Sequence, residues 1–185
     1  MPKLLPIRIY GDAMLRKKSK EVDIDDPYLK IYIPNLIHTM YARDGVGLAS
    51  NQVGVELRII AIDPWWGLEE HKKNPRVLIN PEIHHREGAQ VSEEGCLSLP
   101  DIFAKVPRAM KICYSYQDQA GKRIEAEAEG YEAVVIQHEY DHLNGVLFTD
   151  HVSTLTKLML KRKLKDLEAK ARDGVNIADD IDTEP

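Results

Sequence analysis

One stretch of this chain commits it to a particular kind of interior. From Tyr131 onward, Tyr131, Val134, Val135, His138, Glu139 and His142 recur at spacings of three and four, the mark of a single helical face. That face begins apolar and ends ionisable. A helix of this kind buries its start in a core and carries three ionisable groups along the same line, where an unpaired carboxylate is costly. The fold must give those groups something to bind.

His138 and His142 stand four residues apart, so both imidazoles emerge one turn apart on one side and can reach a single metal ion. Glu139, between them, can reach a water at such an ion as a general base. The plain alternative is a helix that carries two histidines by chance; their continuation of the Val134–Val135 stripe argues against it. A catalytic centre of this type needs a third protein ligand and one open position. The extended zinc-protease spacing would put a histidine at 148, where the chain has Phe148. Glu168 is the only glutamate between 153 and 172, and it stands among basic groups. Cys96 is the better candidate: it lies in Glu93-Glu94-Gly95-Cys96-Leu97-Ser98-Leu99-Pro100, a loop-like or edge-like segment able to bring a thiolate to the ion. Cys113 falls in an alternating strand and reads as a small core residue. A closed structural site with four protein ligands is the competing interpretation at this point.

The 185 residues, 43% hydrophobic and 30% charged, suit one globular domain. The net charge of -5 is unevenly placed: residues 1–152 carry -5, residues 153–172 carry +5 and residues 173–185 carry -5. This divides the chain into a single catalytic domain at 1–172, ending in a basic helix at 153–172, and an acidic tail at 173–185 expected to be disordered. The longest apolar runs, Ile59 to Ile62 and Ala133 to Ile136, have four residues, against about 20 for a membrane-spanning helix. The opening Met1-Pro2-Lys3-Leu4-Leu5-Pro6 lacks the apolar core of a signal peptide. Two cysteines make no disulfide framework. The expectation is a cytoplasmic protein with neither membrane nor DNA as partner.

The spacing predicts a helix after Asp26-Pro27 on the face Leu29, Ile33, Leu36, Ile37 and Met40, kinked or split at Pro34. Short strands follow at Leu57 to Ile62 and Val77 to Ile79, with a surface loop between them. Lys111 to Tyr116 and Arg123 to Ala128 alternate as a hairpin about Asp118-Gln119-Ala120-Gly121. The last helix, capped by Ser153, offers Leu155, Leu158, Met159, Leu164 and Leu167 for packing. The mixture is α+β.

Three separated stretches resemble the peptide deformylase family. Gly45-Val46-Gly47-Leu48-Ala49-Ser50-Asn51-Gln52 is similar to G-x-G-L-A-A-x-Q, Glu94-Gly95-Cys96-Leu97-Ser98 matches E-G-C-L-S, and Gln137-His138-Glu139-Tyr140-Asp141-His142-Leu143-Asn144-Gly145 matches Q-H-E-x-D-H-L-x-G. The similarity runs from about residue 4 to residue 152. Two departures stand out. Ser50 replaces an alanine and needs a local partner for its hydroxyl. Phe103 stands where many bacterial relatives carry an arginine near the substrate backbone, which bears on preferences beyond methionine.

The resemblance implies antiparallel β-sheets packed around a central metal-binding helix, with a C-terminal helix. It implies hydrolysis of the N-formyl group of the initiator formylmethionine of nascent polypeptides, with release of formate. Cys96, His138 and His142 would hold one divalent metal, Fe(II) in the cell and Zn(II) or Ni(II) in some preparations. Glu139 would be the acid–base group, with Gln52 and the backbone N–H of Leu97 as oxyanion donors. An extended substrate would pair with backbone near Gly45, Val46 and Gly47 and pass Gly95. Its methionine side chain would enter a pocket walled by Val46, Val134 and Val135. Asp141 could orient a ligand histidine. The basic helix is a candidate for ribosome contact, because the substrate is a nascent chain.

Overall fold

The computed structural model describes residues 1–69 and 71–172; the acidic tail expected at 173–185 lies outside them. In chain order come α1 (Leu29–Ala42), β1 (Gly47–Ala49), β2 (Ile59–Ile62), β3 (Arg76–Glu87), β4 (Gln90–Cys96), β5 (Leu99–Arg108), β6 (Lys111–Gln117), β7 (Arg123–Glu129), α2 (Gly130–Leu143) and α3 (Thr154–Arg172). An antiparallel sheet runs in the order β1-β2-β3-β6-β7, and β4 pairs with β5 as a separate two-stranded sheet. This is the α+β arrangement of antiparallel sheets about a central helix, with a C-terminal helix.

The apolar run Ile59 to Ile62 shows why the layers stack as they do. Successive strand side chains point to opposite faces, so Ile59 and Ala61 join Tyr32, Ile33, Leu36 and Met40 of α1. Ile60 and Ile62 join Ala133, Val135, Ile136 and Leu143 of α2. A strand covered on both faces reads as unbroken apolar sequence. A third cluster packs Leu99, Ile102, Ala104 and Val106 of β5 against Leu147, Phe148 and Val152, with Leu160, Leu164 and Leu167 of α3 over it.

Several expectations need correcting. α1 is one helix through Pro34 and not two shorter ones; the proline is exposed, as is Lys30 one turn earlier, so the carbonyl that loses its donor can face water. β3 runs to Glu87, and β4 and β5 were not expected at all. The outer half of β3 exposes polar side chains, β4 buries only Glu94 and exposes Val91, and Pro100 and Pro107 interrupt the β5 pattern. A two-stranded sheet tolerates them because each strand has a free edge. Cys113 is half-exposed rather than core, its thiol donating to Glu127 Oε1 across the hairpin at 3.5 Å. On α3, Leu155, Leu158 and Met159 are exposed. The packed stripe is Leu160, Leu164 and Leu167, at i, i+4 and i+7. Ser153 Oγ does cap the helix, accepting from Thr156 N at 3.2 Å.

Candidate active site

α2 starts where β7 stops, with no intervening loop. Gly130 makes the change of direction at φ +60°, a backbone state glycine adopts without cost from a Cβ. The helix carries His138, Glu139 and His142 into the interior, and Glu139 is 4% exposed. β4 delivers Cys96 from the other side at its last residue, after a register shift between Glu94 and Cys96. Cys96 Sγ lies 3.2 Å from His142 Nε2, which lies 3.2 Å from His138 Nε2. All three donors fall within 4.8 Å of one another.

Donors on a tetrahedral ion with bonds of about 2.0–2.3 Å sit roughly 3.3–3.6 Å apart, so this trio fits one metal ion. Two buried atoms at the site, Glu139 Oε2 and His142 Nδ1, have no hydrogen-bond partner among the described residues. Unpaired buried polar atoms are expensive; the Glu139 carboxyl belongs to the cavity lining beside the three donors, whereas His142 Nδ1 is the ring nitrogen turned away from them.

Partners set the state of each group. Burial works against a charged His138, but Cys96 and Glu94 push its pKa well above the ordinary range. Burial drives that of His142 well below. Burial likewise pushes Glu139 up to about 7. Glu94 resists its own burial and is held down to about 2 by hydrogen bonds from Arg108 and His138. Its Oε2 accepts from His138 Nδ1 at 2.7 Å, which turns the Nε2 of that ring toward Cys96.

Sequence reasoning quoted Glu94 within a motif but gave it no task, and it missed Arg108. Arg108 donates from Nε and Nη2 to the two oxygens of Glu94 at 2.6 and 2.9 Å, and from Nη1 to Asp141 Oδ2 at 2.5 Å. Asp141 therefore reaches His138 only through Arg108 and Glu94, and its other partner is His151 at 2.7 Å. The missed signal was a buried arginine at an inward position of β5.

Gln52 does two things at once. Its Oε1 accepts from Ala49 N at 2.9 Å, closing its own turn, while Nε2 points at Cys96 Sγ at 3.4 Å and Ser98 Oγ at 3.2 Å. Ser50 Oγ donates to the Ile59 carbonyl at 3.0 Å, the local partner its hydroxyl needs. Asn51 Nδ2 donates to the His142 carbonyl, tying this turn to α2.

Gly47 lies directly against Glu139. A Cβ there would stand 2.5 Å from Oε1 and 2.8 Å from Cδ. The segment before it is braced by a loop that was expected to be mere surface. Trp66 Nε1 donates to the Gly45 carbonyl at 2.7 Å, and Asp63 N to that of Val46 at 2.8 Å. Tyr41 meets the Trp66 ring edge-on at 5.1 Å and donates to Asp63 Oδ2 at 2.5 Å.

The site opens on a cavity of about 710 Å³. Val46, Gly47, Gln52, Gly95, Cys96, Leu97, Val134, Val135, His138 and Glu139 line it, and His142 lies beneath, 1% exposed. The structure thus brings together every site residue expected from the sequence.

A thiol and an imidazole at the wall of an open cavity, a second imidazole beneath it and a buried carboxyl beside them belong to a metal-dependent hydrolase. The model of the polypeptide deformylase family matches residues 4–158. A peptide deformylase of Thermotoga maritima is 46% identical over 87% of this chain and 94% of its own. The crystal structure of peptide deformylase from that organism superposes with a TM-score of 0.75 at 45% identity, covering 82% of this chain and 99% of the other. That of a peptide deformylase from Legionella pneumophila gives 0.81 at 40% identity, covering 90% and 96%. The chain belongs to the polypeptide deformylase family, metal-dependent hydrolases that remove the N-formyl group from nascent peptides.

Proposed function

We propose that residues 1–172 act as one catalytic domain that hydrolyses the formyl amide of formylmethionyl chains through Cys96, His138, His142, Glu139, Gln52 and Leu97. The observation that supports this most directly is the convergence of Cys96 Sγ, His138 Nε2 and His142 Nε2 in the cavity that also holds the Glu139 carboxyl and the uncovered edge of β1. A divalent ion held by those three residues supplies Lewis acidity and lowers the pKa of water. Glu139, buried in the cavity lining, takes a proton from the attacking water and returns it to the amine nitrogen as the C–N bond breaks. Gln52 Nε2 and the Leu97 N–H donate to the formyl oxygen as it gains charge, each such donor being worth about 3 kcal/mol.

β1 supplies the docking edge. Asp63 N–H donates to the Val46 carbonyl and Gly47 pairs opposite Ile62. In an antiparallel ladder this turns the N–H and C=O of Gly47 away from β2. An extended peptide adds there as a strand, passing Gly95, with its methionine side chain among Val46, Val134 and Val135.

The donor set suits Fe(II), Zn(II) and Ni(II) alike; we assign Fe(II) in the cell, following the family's common use, and Zn(II) or Ni(II) to some preparations. A cytoplasmic location suits the substrate and a Cys96 kept as a thiol. No helix among the described residues is long and apolar enough to cross a membrane. Lys161, Arg162 and Lys165, around exposed Leu158 on α3, are our candidates for ribosome contact. Reversing those three charges should weaken co-sedimentation with ribosomes. The central test is anaerobic purification followed by metal analysis and formate release from formyl-Met-Ala-Ser on one sample. Liberation of free amino acids without formate would overturn the assignment.

A further inference from the structure

Among the described residues, two of the large apolar side chains left exposed also line the catalytic cavity: Phe103, 64% exposed, and Tyr131, 44% exposed. Tyr131 already leans on Trp65, ring centroids 5.7 Å apart. Phe103 is differently placed. β5 alternates, with Ile102 and Ala104 buried and Phe103 turned outward between them, so the strand fixes the direction of its side chain. Its ring lies on the neighbouring strand at Gly95, where a Cβ would stand 2.6 Å from Cε1 and 2.8 Å from Cδ1. The absent side chain of Gly95 is thus the seat of the ring. One side of the ring lies over Gly95 of β4, and the ring is otherwise exposed where it lines the cavity. Val134 and Val135, by contrast, are buried deeper in the lining.

We propose that Phe103 is a specificity-determining residue, its ring forming an apolar platform for the side chain of the residue that follows formylmethionine. The inference rests on the strand-like binding mode given above. Side chains of an extended peptide alternate in direction. If the methionine side chain points down toward Val134 and Val135, the next one points out toward the mouth, where Phe103 stands. An aromatic or aliphatic side chain there removes apolar surface of both groups from water. Asp44, Glu93 and Asp101 line the same cavity against one arginine, Arg43, so an acidic side chain meets an excess of like charge as well as a lost apolar contact. The enzyme therefore favours nascent chains with an apolar second residue and disfavours acidic ones.

The test uses the metal-loaded enzyme and formate release from formyl-Met-X-Ser-Ala, with X as Phe, Leu, Ser or Asp. A second series varies the third residue with Ser held second. For the wild type, kcat/KM with X as Phe should exceed that with X as Ser by about tenfold, the scale of a modest apolar contact in a transition state, with Asp lowest. Phe103→Ala should bring the Phe-to-Ser ratio close to one, and Phe103→Leu should restore most of it. An unchanged ratio in Phe103→Ala overturns the proposal. So does a preference that follows the third residue instead of the second. Absence of formate from every peptide in the wild type would instead remove the underlying deformylase assignment, so the two failures are distinct.

Discussion

Replacing Gly47 by alanine should damage catalysis through Glu139 while leaving the fold intact. The added Cβ would lie 2.5 Å from Glu139 Oε1 and 2.8 Å from both Cδ and Cγ, where ordinary contacts begin at 3.4 Å. The carboxyl must therefore withdraw by about 0.9 Å. Gly47 is not among the positive-φ residues, so alanine adds no backbone strain of its own. A displacement of about 1 Å in a reacting group can cost about 100-fold. The expected result is a kcat for formate release 30- to 100-fold lower, to order of magnitude, with metal stoichiometry unchanged. The decisive control is the same substitution in a Glu139→Ala background, where the obstructed carboxyl is gone and the further loss should vanish. A kcat within about threefold of wild type, or an equal loss in both backgrounds, would refute the reasoning.

Glu139→Ala alone should keep its metal and lose at least about 100-fold in rate, measured by metal analysis and formate release on one preparation. Arg108→Leu should destabilise the protein by about 3–5 kcal/mol, because Glu94 and Asp141 would be left without their shared cation; urea unfolding at neutral pH reads this. The pH dependence has a definite sign. Glu94 is ordinarily at 4.5 and is held at about 2 in the folded protein, so its pairing contributes fully above about pH 4.5 and is lost as pH falls toward 2. The stability gap between wild type and Arg108→Leu should narrow over that window. Trp66→Phe keeps the ring against Tyr41 but removes the donor to the Gly45 carbonyl, and should raise KM several-fold with a smaller change in kcat. Equal KM values would show that the brace has no part in substrate binding.

The centre was legible because its chemistry follows helical spacing: His138, Glu139 and His142 announce themselves on one face, and the need for a third ligand leads to Cys96. What lay hidden is what comes from tertiary pairing. Arg108 has no marked role in the sequence until β5 folds beside β4 and sets it between Glu94 and Asp141. Trp66 reads as loop until the turn after β2 folds back on Gly45. β4 and β5 hid for a related reason. β4 buries only Glu94 and so carries no apolar pattern, while the alternation of β5 is broken up by Pro100, Pro107 and the outward Phe103. The exposed Leu155, Leu158 and Met159 mark the opposite error, apolar residues taken for packing that face away from the body.

An uncovered strand edge ordinarily invites pairing with another protein chain and so threatens aggregation. β1 ends its sheet uncovered, yet it offers only three residues, and all three are buried. A row of donors and acceptors that short, reached by way of the cavity that Val46 and Gly47 line, gives a second sheet little to build on, so the cavity stays open without an aggregation hazard.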